Sequence, residues 1–246
     1  MQLSINDISY YVGNTPLLTS LTVVFGDGVN CILGPNGAGK STLLRIIATS
    51  LPSRSGEMSI SGPSATKRLG RDDLGYVPQT FAFYPHFTVR QLVEYVAALK
   101  GVPRSERASR IEEAIAGTNL EQHADKKLSA LSGGMLRRAA IAQAVVNKPS
   151  VLVLDEPTVG LDPDQRAAFL GLLAKLSSER IVLLSTHLVD DVRMAGSNVS
   201  VMRSGQIVAH GSLAAIVGRP EGATVSNEQL SDAYAKLISN DRSRDE

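Results

Sequence analysis

The stretch GPNGAGKST, Gly34 to Thr42, sits between the apolar run VNCIL and the helically spaced STLLRIIATSL. It matches Gly-x-x-x-x-Gly-Lys-Ser/Thr, a turn that works only between a strand and a helix, so the chain is committed to an α/β layer arrangement. Gly34, Gly37 and Gly39 let successive backbone N–H groups point inward at phosphate oxygens. Lys40 brings a positive charge to the β- and γ-phosphates of a nucleoside triphosphate, and the Ser41 hydroxyl suits Mg²⁺. The whole stretch, with Pro35, Asn36, Ala38 and Thr42, is the candidate binding loop. Leu43, Leu44, Ile47 and Leu51 predict the helix that follows, with Pro52 marking its end.

The rest of the chain fits that frame. LSINDISYYV and LTVVF alternate apolar and polar residues and predict half-exposed antiparallel strands. From Thr88 to Val145 the pattern is mainly helical, with TVRQLVEYVAALK and SERASRIEEAIA separated by the breaker GVP. VLVLDEP and RIVLLSTH are short Val/Ile/Leu runs on either side of a helix from about Asp164 to Ser177, as a parallel sheet with crossover helices demands. NVSVMRSGQIVAHG predicts a hairpin, and EQLSDAYAKLI a short amphipathic helix.

Composition excludes several functions. With 25 Lys and Arg against 24 Asp and Glu, the net charge of +1 lacks the basic footprint of a dedicated nucleic-acid binder, so no nucleic acid is expected. Cys31 is the single cysteine, which forbids an internal disulfide and fits a reducing compartment. MQLSINDISYY lacks the basic start and apolar block expected of a leader peptide, and no run approaches the ~20 apolar residues of a membrane span. The expectation is a cytoplasmic chain that meets a membrane only through a partner.

Two further places carry chemistry. Asp155 and Glu156 end the buried run VLVLDE, where Asp155 can hold a metal through water and Glu156 can polarise an attacking water or take its proton. His187, closing RIVLLSTH at a neighbouring strand end, can reach a γ-phosphate. In LSALSGGMLRRAAIAQAVV, two glycines free the backbone at the mouth of a helix, a second place to hold an anion. Arg137 and Arg138, which follow, read as a solvated helix face.

In this order, GPNGAGKST, YVPQ, LSGGM, VLVLDEP, GLDP and STH resemble the motifs of ATP-binding-cassette (ABC) ATPases, over essentially residues 1 to 212. The resemblance implies a P-loop core with a mainly parallel sheet, an N-terminal antiparallel β-subdomain and an inserted α-helical subdomain at about 85–146. A nucleotide-binding domain of 1–215 would then carry a short C-terminal extension, 216–246. It implies ATP and Mg²⁺, with Ser41, Gln79 and Asp155 at the metal and Glu156, His187 and Gln79 in catalysis.

In such proteins two subunits meet head to tail, so Ser132, Gly133 and Gly134 of one would cover the γ-phosphate in the loop of the other, and Asp162 would cross beside the partner's site. Tyr11 resembles the aromatic that stacks on adenine, with the adjacent Tyr10 as the alternative. GYVPQTFAFYPHFTVRQLVEYVAALKGV, LLSTHLVDDVR and GQIVAHGSL look like the ATPase subunits of bacterial two-component exporters, which implies a separate transmembrane permease at the inner face of the membrane. Phe81, Phe83, Tyr84 and Phe87 either line the groove for that permease or pack the helical insertion. The second ATPase subunit can be identical or different. The alternative is a non-transport ABC ATPase acting on ribosomes, DNA or cofactor assembly, which the single Gly34 loop and the lack of sustained heptads disfavour.

Overall fold

Alternation in the first thirty residues builds a hairpin of β1 (Gln2–Val12) and β2 (Thr15–Gly26), and β3 (Gly28–Leu33) leads into the glycine loop and α1 (Lys40–Ile47). In this computed structural model, which describes residues 1–62, 65–195 and 198–239, there follow β4 (Ser55–Ser61), β5 (Thr66–Arg68) and β6 (Leu74–Val77). Three helices come next: α2 (Val89–Leu99), α3 (Arg104–Gly117) and α4 (Gly133–Val145). The chain returns as β7 (Val151–Asp155), α5 (Pro163–Leu176), β8 (Ile181–Thr186), α6 (Val189–Ala195), β9 (Asn198–Arg203), β10 (Gln206–Ser212), α7 (Leu213–Ile216) and α8 (Asn227–Ser239).

The strands form two sheets. An antiparallel one has the order β2-β1-β4-β5, and a six-stranded one the order β10-β9-β3-β8-β7-β6, parallel except for the β9–β10 hairpin. Because successive side chains leave a strand on opposite faces, the parallel sheet feeds two cores. Cys31, Leu33, Leu152, Leu154, Val182 and Leu184 pack with the helical insertion and α5. Ile32, Val151, Val153, Ile181 and Leu183 pack with α1 and the antiparallel sheet. Fully enclosed, Cys31 has its thiol pushed up to about 12, chiefly by burial, which makes it an inert core residue.

One expectation changes. α1 ends at Ile47, short of Pro52: Thr49 turns left-handed at φ 55, Ser50 N–H reaches back to the Arg45 carbonyl and Thr49 N–H to that of Ile46. This closing motif satisfies the last carbonyls, so the helix stops before proline is reached. β4 and β5, which periodicity left unassigned, complete the antiparallel sheet. In the aromatic segment Phe81, Phe83 and Phe87 pack against the first core, while Tyr84 stays 56% exposed.

The C-terminal helix α8 buries Leu230 completely, and Arg203 donates a 2.7 Å bond to the Leu237 carbonyl. Residues 240–246 of the expected extension lie outside the described residues. No described helix is long and apolar enough to cross a membrane.

Candidate functional site

Parallel pairing sets the register that gathers the site. Leu33 lies beside Thr186 and Asp155 beside Ser185, so the Gly34 loop, Glu156 and His187 all emerge at one carboxyl edge of the sheet. At that edge opens a cavity of about 390 Å³, lined by the loop residues from Asn36 to Thr42 that face it together with Leu17, Gln79 and Glu156. Loop shape depends on close packing. A Cβ at Gly34 would overlap the Met202 carbonyl oxygen, and Gly39, at φ 100, would bring one to 2.9 Å from Leu18 Cδ2.

Lys40 is only 4% exposed. Its Nζ donates to the carbonyls of Gly34 at 2.8 Å and Pro35 at 3.0 Å, and lies 3.6 Å from Glu156 Oε1. Burial pushes the Lys40 amine below its usual range, while the Glu156 carboxylate beside it pulls back toward the charged form. Ala38, buried in the loop, donates from its amide to the Pro35 carbonyl at 3.2 Å and so helps close the turn.

The acidic pair is held from β8. Ser185 Oγ donates to Asp155 Oδ1 at 2.7 Å and accepts from the Glu156 amide at 2.8 Å; Ser41 Oγ donates to the same Asp155 oxygen at 2.9 Å. Glu156 itself is left-handed at φ 45, a conformation costing about 1–3 kcal/mol that persists only where neighbours impose it. Here Ser185 pins its amide. The strained backbone aims the carboxylate between Lys40, Gln79 and His187: Gln79 Nε2 donates to Oε2 at 3.1 Å, and His187 Nδ1 lies 3.5 Å from Oε1.

The residues fit a nucleoside triphosphate and Mg²⁺. A glycine turn, a buried ammonium, the Ser41 hydroxyl that Asp155 anchors and the Glu156 carboxylate face one cavity. Among the described residues no cluster of three or more His, Cys, Asp or Glu could hold a metal, whereas Mg²⁺ needs only one or two protein ligands when phosphate and water complete its shell.

Other expected site residues stand apart. Ser132, Gly133, Gly134 and Asp162 do not line the cavity. Ser132 caps α4, its Oγ accepting from Met135 N–H at 3.4 Å, and Asp162 caps α5, accepting from Gln165 N–H at 2.8 Å. Both are exposed. Neither tyrosine lines the cavity: Tyr10 packs against the second core, and Tyr11 has the Arg54 guanidinium 4.9 Å above its ring.

Sequence reasoning missed four contributors. Leu17 walls the cavity, and Ser185 positions both acids. Asp191, fully buried on α6, accepts from Thr158 Oγ1 at 2.6 Å and Thr186 Oγ1 at 2.7 Å, tying the segment after Glu156 to the strand end before His187. Its place four residues after His187 is the one signal available, and adjacent Asp190 blurs it. Arg137, expected on a solvated face, is half-buried and donates to the carbonyls of Gln79 at 3.1 Å and Val159 at 3.4 Å.

Comparison with known proteins gives these features a family. Residues 20–159 match the ABC transporter family. The chain is 36% identical over 74% of its length to the uncharacterized ABC transporter ATP-binding protein YxlF of Bacillus subtilis, and 32% identical over 79% to that organism's linearmycin resistance ATP-binding protein LnrL. It spans 61% and 63% of those two relatives. With the arginine transport ATP-binding protein ArtP of Haemophilus influenzae it shares 34% identity, over 86% of this chain and 93% of that one. Among solved structures, an ATP-binding subunit of an ABC transporter superposes with TM-score 0.79 at 26% identity, covering 96% of this chain and 99% of that one. A dimeric bacterial ABC transporter cassette gives 0.71 at 26% identity, covering 85% and 98%.

Proposed function

This chain belongs to the ABC transporter family, and on that premise we propose that it is the ATP-binding and ATP-hydrolysing subunit of a membrane exporter. The observation that carries this reading is the convergence on one cavity of Lys40, Ser41 with Asp155 hydrogen-bonded behind it, and the Gln79–Glu156 pair. When bound, Mg²⁺ supplies charge neutralisation across the β- and γ-phosphates. Gly34 to Thr42 wrap the phosphates with backbone donors, and Lys40 offers its ammonium. Ser41, Gln79 and Asp155 would hold the metal, Gln79 also reaching the lytic water; His187 would contact the γ-phosphate, and Glu156 would polarise that water or accept its proton. Tyr11 is the proposed adenine platform.

The remaining site residues act on a second copy. Gly133 has open space where a Cβ would sit, and Gly134 meets only the Gln165 side chain, at 3.4 Å. Neither has a positive φ, so nothing in the chain's own fold demands glycine at Gly133. A phosphate approaching the mouth of α4 from outside does demand it, since a helix N-terminus carries free N–H donors and about half a positive charge. Head-to-tail pairing puts Ser132 to Gly134 of one subunit over the γ-phosphate of the other, with Asp162 beside it, and makes ATP the glue.

Export rests on the likeness to exporter ATPase subunits and to a resistance protein. The exposed aromatic segment around Tyr84 is the proposed seat for a separate permease, which would hold the chain at the inner face of the membrane. The test is Ser132→Arg: the isolated subunit should bind ATP as before, and turnover should be lost. Retained ATPase activity would sink the shared-site reading, and loss of binding in the monomer would place Ser132 in its own subunit's site.

A further inference from the structure

Arg137 joins elements that the proposed cycle must move together. It lies in the first turns of α4, three residues beyond Gly134, so its backbone is rigidly continuous with the Ser132–Gly134 turn. Its guanidinium leaves the helix and ends on two loops of the core: Nη1 donates to the Gln79 carbonyl at 3.1 Å and Nη2 to the Val159 carbonyl at 3.4 Å. Each of those residues is one bond from Glu156. Gln79 Nε2 donates to its carboxylate at 3.1 Å, and Val159 N–H donates to its carbonyl at 3.3 Å.

The guanidinium is half-buried, and burial pushes its pKa below the usual arginine value. Among the described residues no carboxylate offsets that cost, so the two carbonyls are what the charge is spent on. A planar fork can satisfy two acceptors on separate loops at once, whereas a lysine ammonium on a flexible stem favours one.

We propose that Arg137 is the positioning residue that couples a subunit's own nucleotide cavity to the turn it presents to its partner. With both carbonyls held, the Gln79 loop, the Val159 segment leading to Asp162 and the first turns of α4 form one unit. Ligand at Gln79 and Glu156 therefore sets the pose of Ser132 to Gly134 and Asp162 together. Without the fork, the cavity still binds its ligand, but the turn is no longer held at the angle the partner needs. The inference deepens the head-to-tail reading and rests on it.

The experiment compares Glu156→Gln alone with Glu156→Gln carrying Arg137→Ala or Arg137→Lys. ATP binding by the monomer is titrated with a fluorescent ATP analogue, and dimer formation is followed by light scattering in ATP and Mg²⁺. Both Arg137 variants should bind nucleotide within about twofold of the parent. The ATP concentration that half-saturates dimerisation should rise about tenfold or more for Arg137→Ala, which removes both charge-assisted hydrogen bonds. Arg137→Lys should fall between, and in the otherwise native chain Arg137→Ala should lower the Hill coefficient of turnover toward 1. Should Arg137→Ala fail to fold, Arg137→Lys keeps the stem and the charge, loses the fork and carries the comparison. Dimerisation indistinguishable from the Glu156→Gln parent would overturn the role of Arg137 and leave head-to-tail pairing intact. A parent that never dimerises in ATP would overturn the pairing itself, and this inference with it.

Discussion

The Gly34–Ser41 loop and the Leu131–Gly134 turn use the same device, glycines at the mouth of a helix, in opposite settings. In the first, Lys40 is 4% exposed and tied to two carbonyls, Gly34 and Gly39 are crowded by Met202 and Leu18, and the helix behind is locked between two sheets. In the second, Ser132 is exposed, Gly133 faces open space, and the side-chain cap is a long 3.4 Å bond. One grip is finished within the chain; on the proposed head-to-tail reading, the other is finished by the partner's phosphate. Glycine at the first is a folding requirement, and at the second, on that reading, it is a requirement of approach.

That contrast breaks down most visibly, or holds, in Glu156→Gln. Glutamine keeps the hydrogen bonding around Gln79 but cannot take a proton, so turnover should fall about 10²–10⁴-fold while ATP still binds. With the γ-phosphate retained, both grips keep one ligand between them. Light scattering should find a dimer in ATP and Mg²⁺ and a monomer in ADP; a variant that binds ATP and stays monomeric would mean that the second grip does not close on a phosphate in the isolated subunit.

Lys40→Ala attacks the finished grip. Losing the buried charge should weaken ATP binding about 10- to 100-fold, the range of charged hydrogen bonds. Equal affinity in a calorimetric titration would remove the loop from the site.

A matched glycine pair sharpens the distinction. Gly39→Ala must accept φ 100 and a Cβ 2.9 Å from Leu18, so urea unfolding should show a loss of about 1–3 kcal/mol. Gly133→Ala, in open space at a helix start, should change stability by less than about 1 kcal/mol and yet lower turnover. If it leaves turnover untouched, nothing outside the chain needs that position to be glycine.

The smallest effect is on pH. Phosphate prefers the protonated Lys40, whose pKa in the free chain is lowered from 10.5 by burial. Affinity for ATP should therefore decline a few-fold as pH rises through that lowered value. Under the same titration Lys40→Ala should stay flat.

Local pattern carried the loop, the parallel strands, the helical insertion and the acid pair, because each is written within a few consecutive residues whose periodicity or spacing has one structural outcome. It could not say where α1 stops, since the left-handed Thr49 closes the helix before Pro52. Nor could it assign β4 and β5, strands with few buried residues whose places depend on pairing with β1 and with each other.

By itself, then, the sequence determined which groups have the chemistry to suit phosphate and which strand ends bear them, because backbone geometry and side-chain chemistry act locally. Only the tertiary structure decided which of those groups meet. Strand register set Ser185 against both acids across 29 and 30 residues of chain, and packing turned Asp191 and Arg137 into ties spanning 33 and 58 residues. On a helix, a buried carboxylate and a half-buried guanidinium follow the same spacing as solvated ones. What separates them is the loop that folds over them, and no local window contains it.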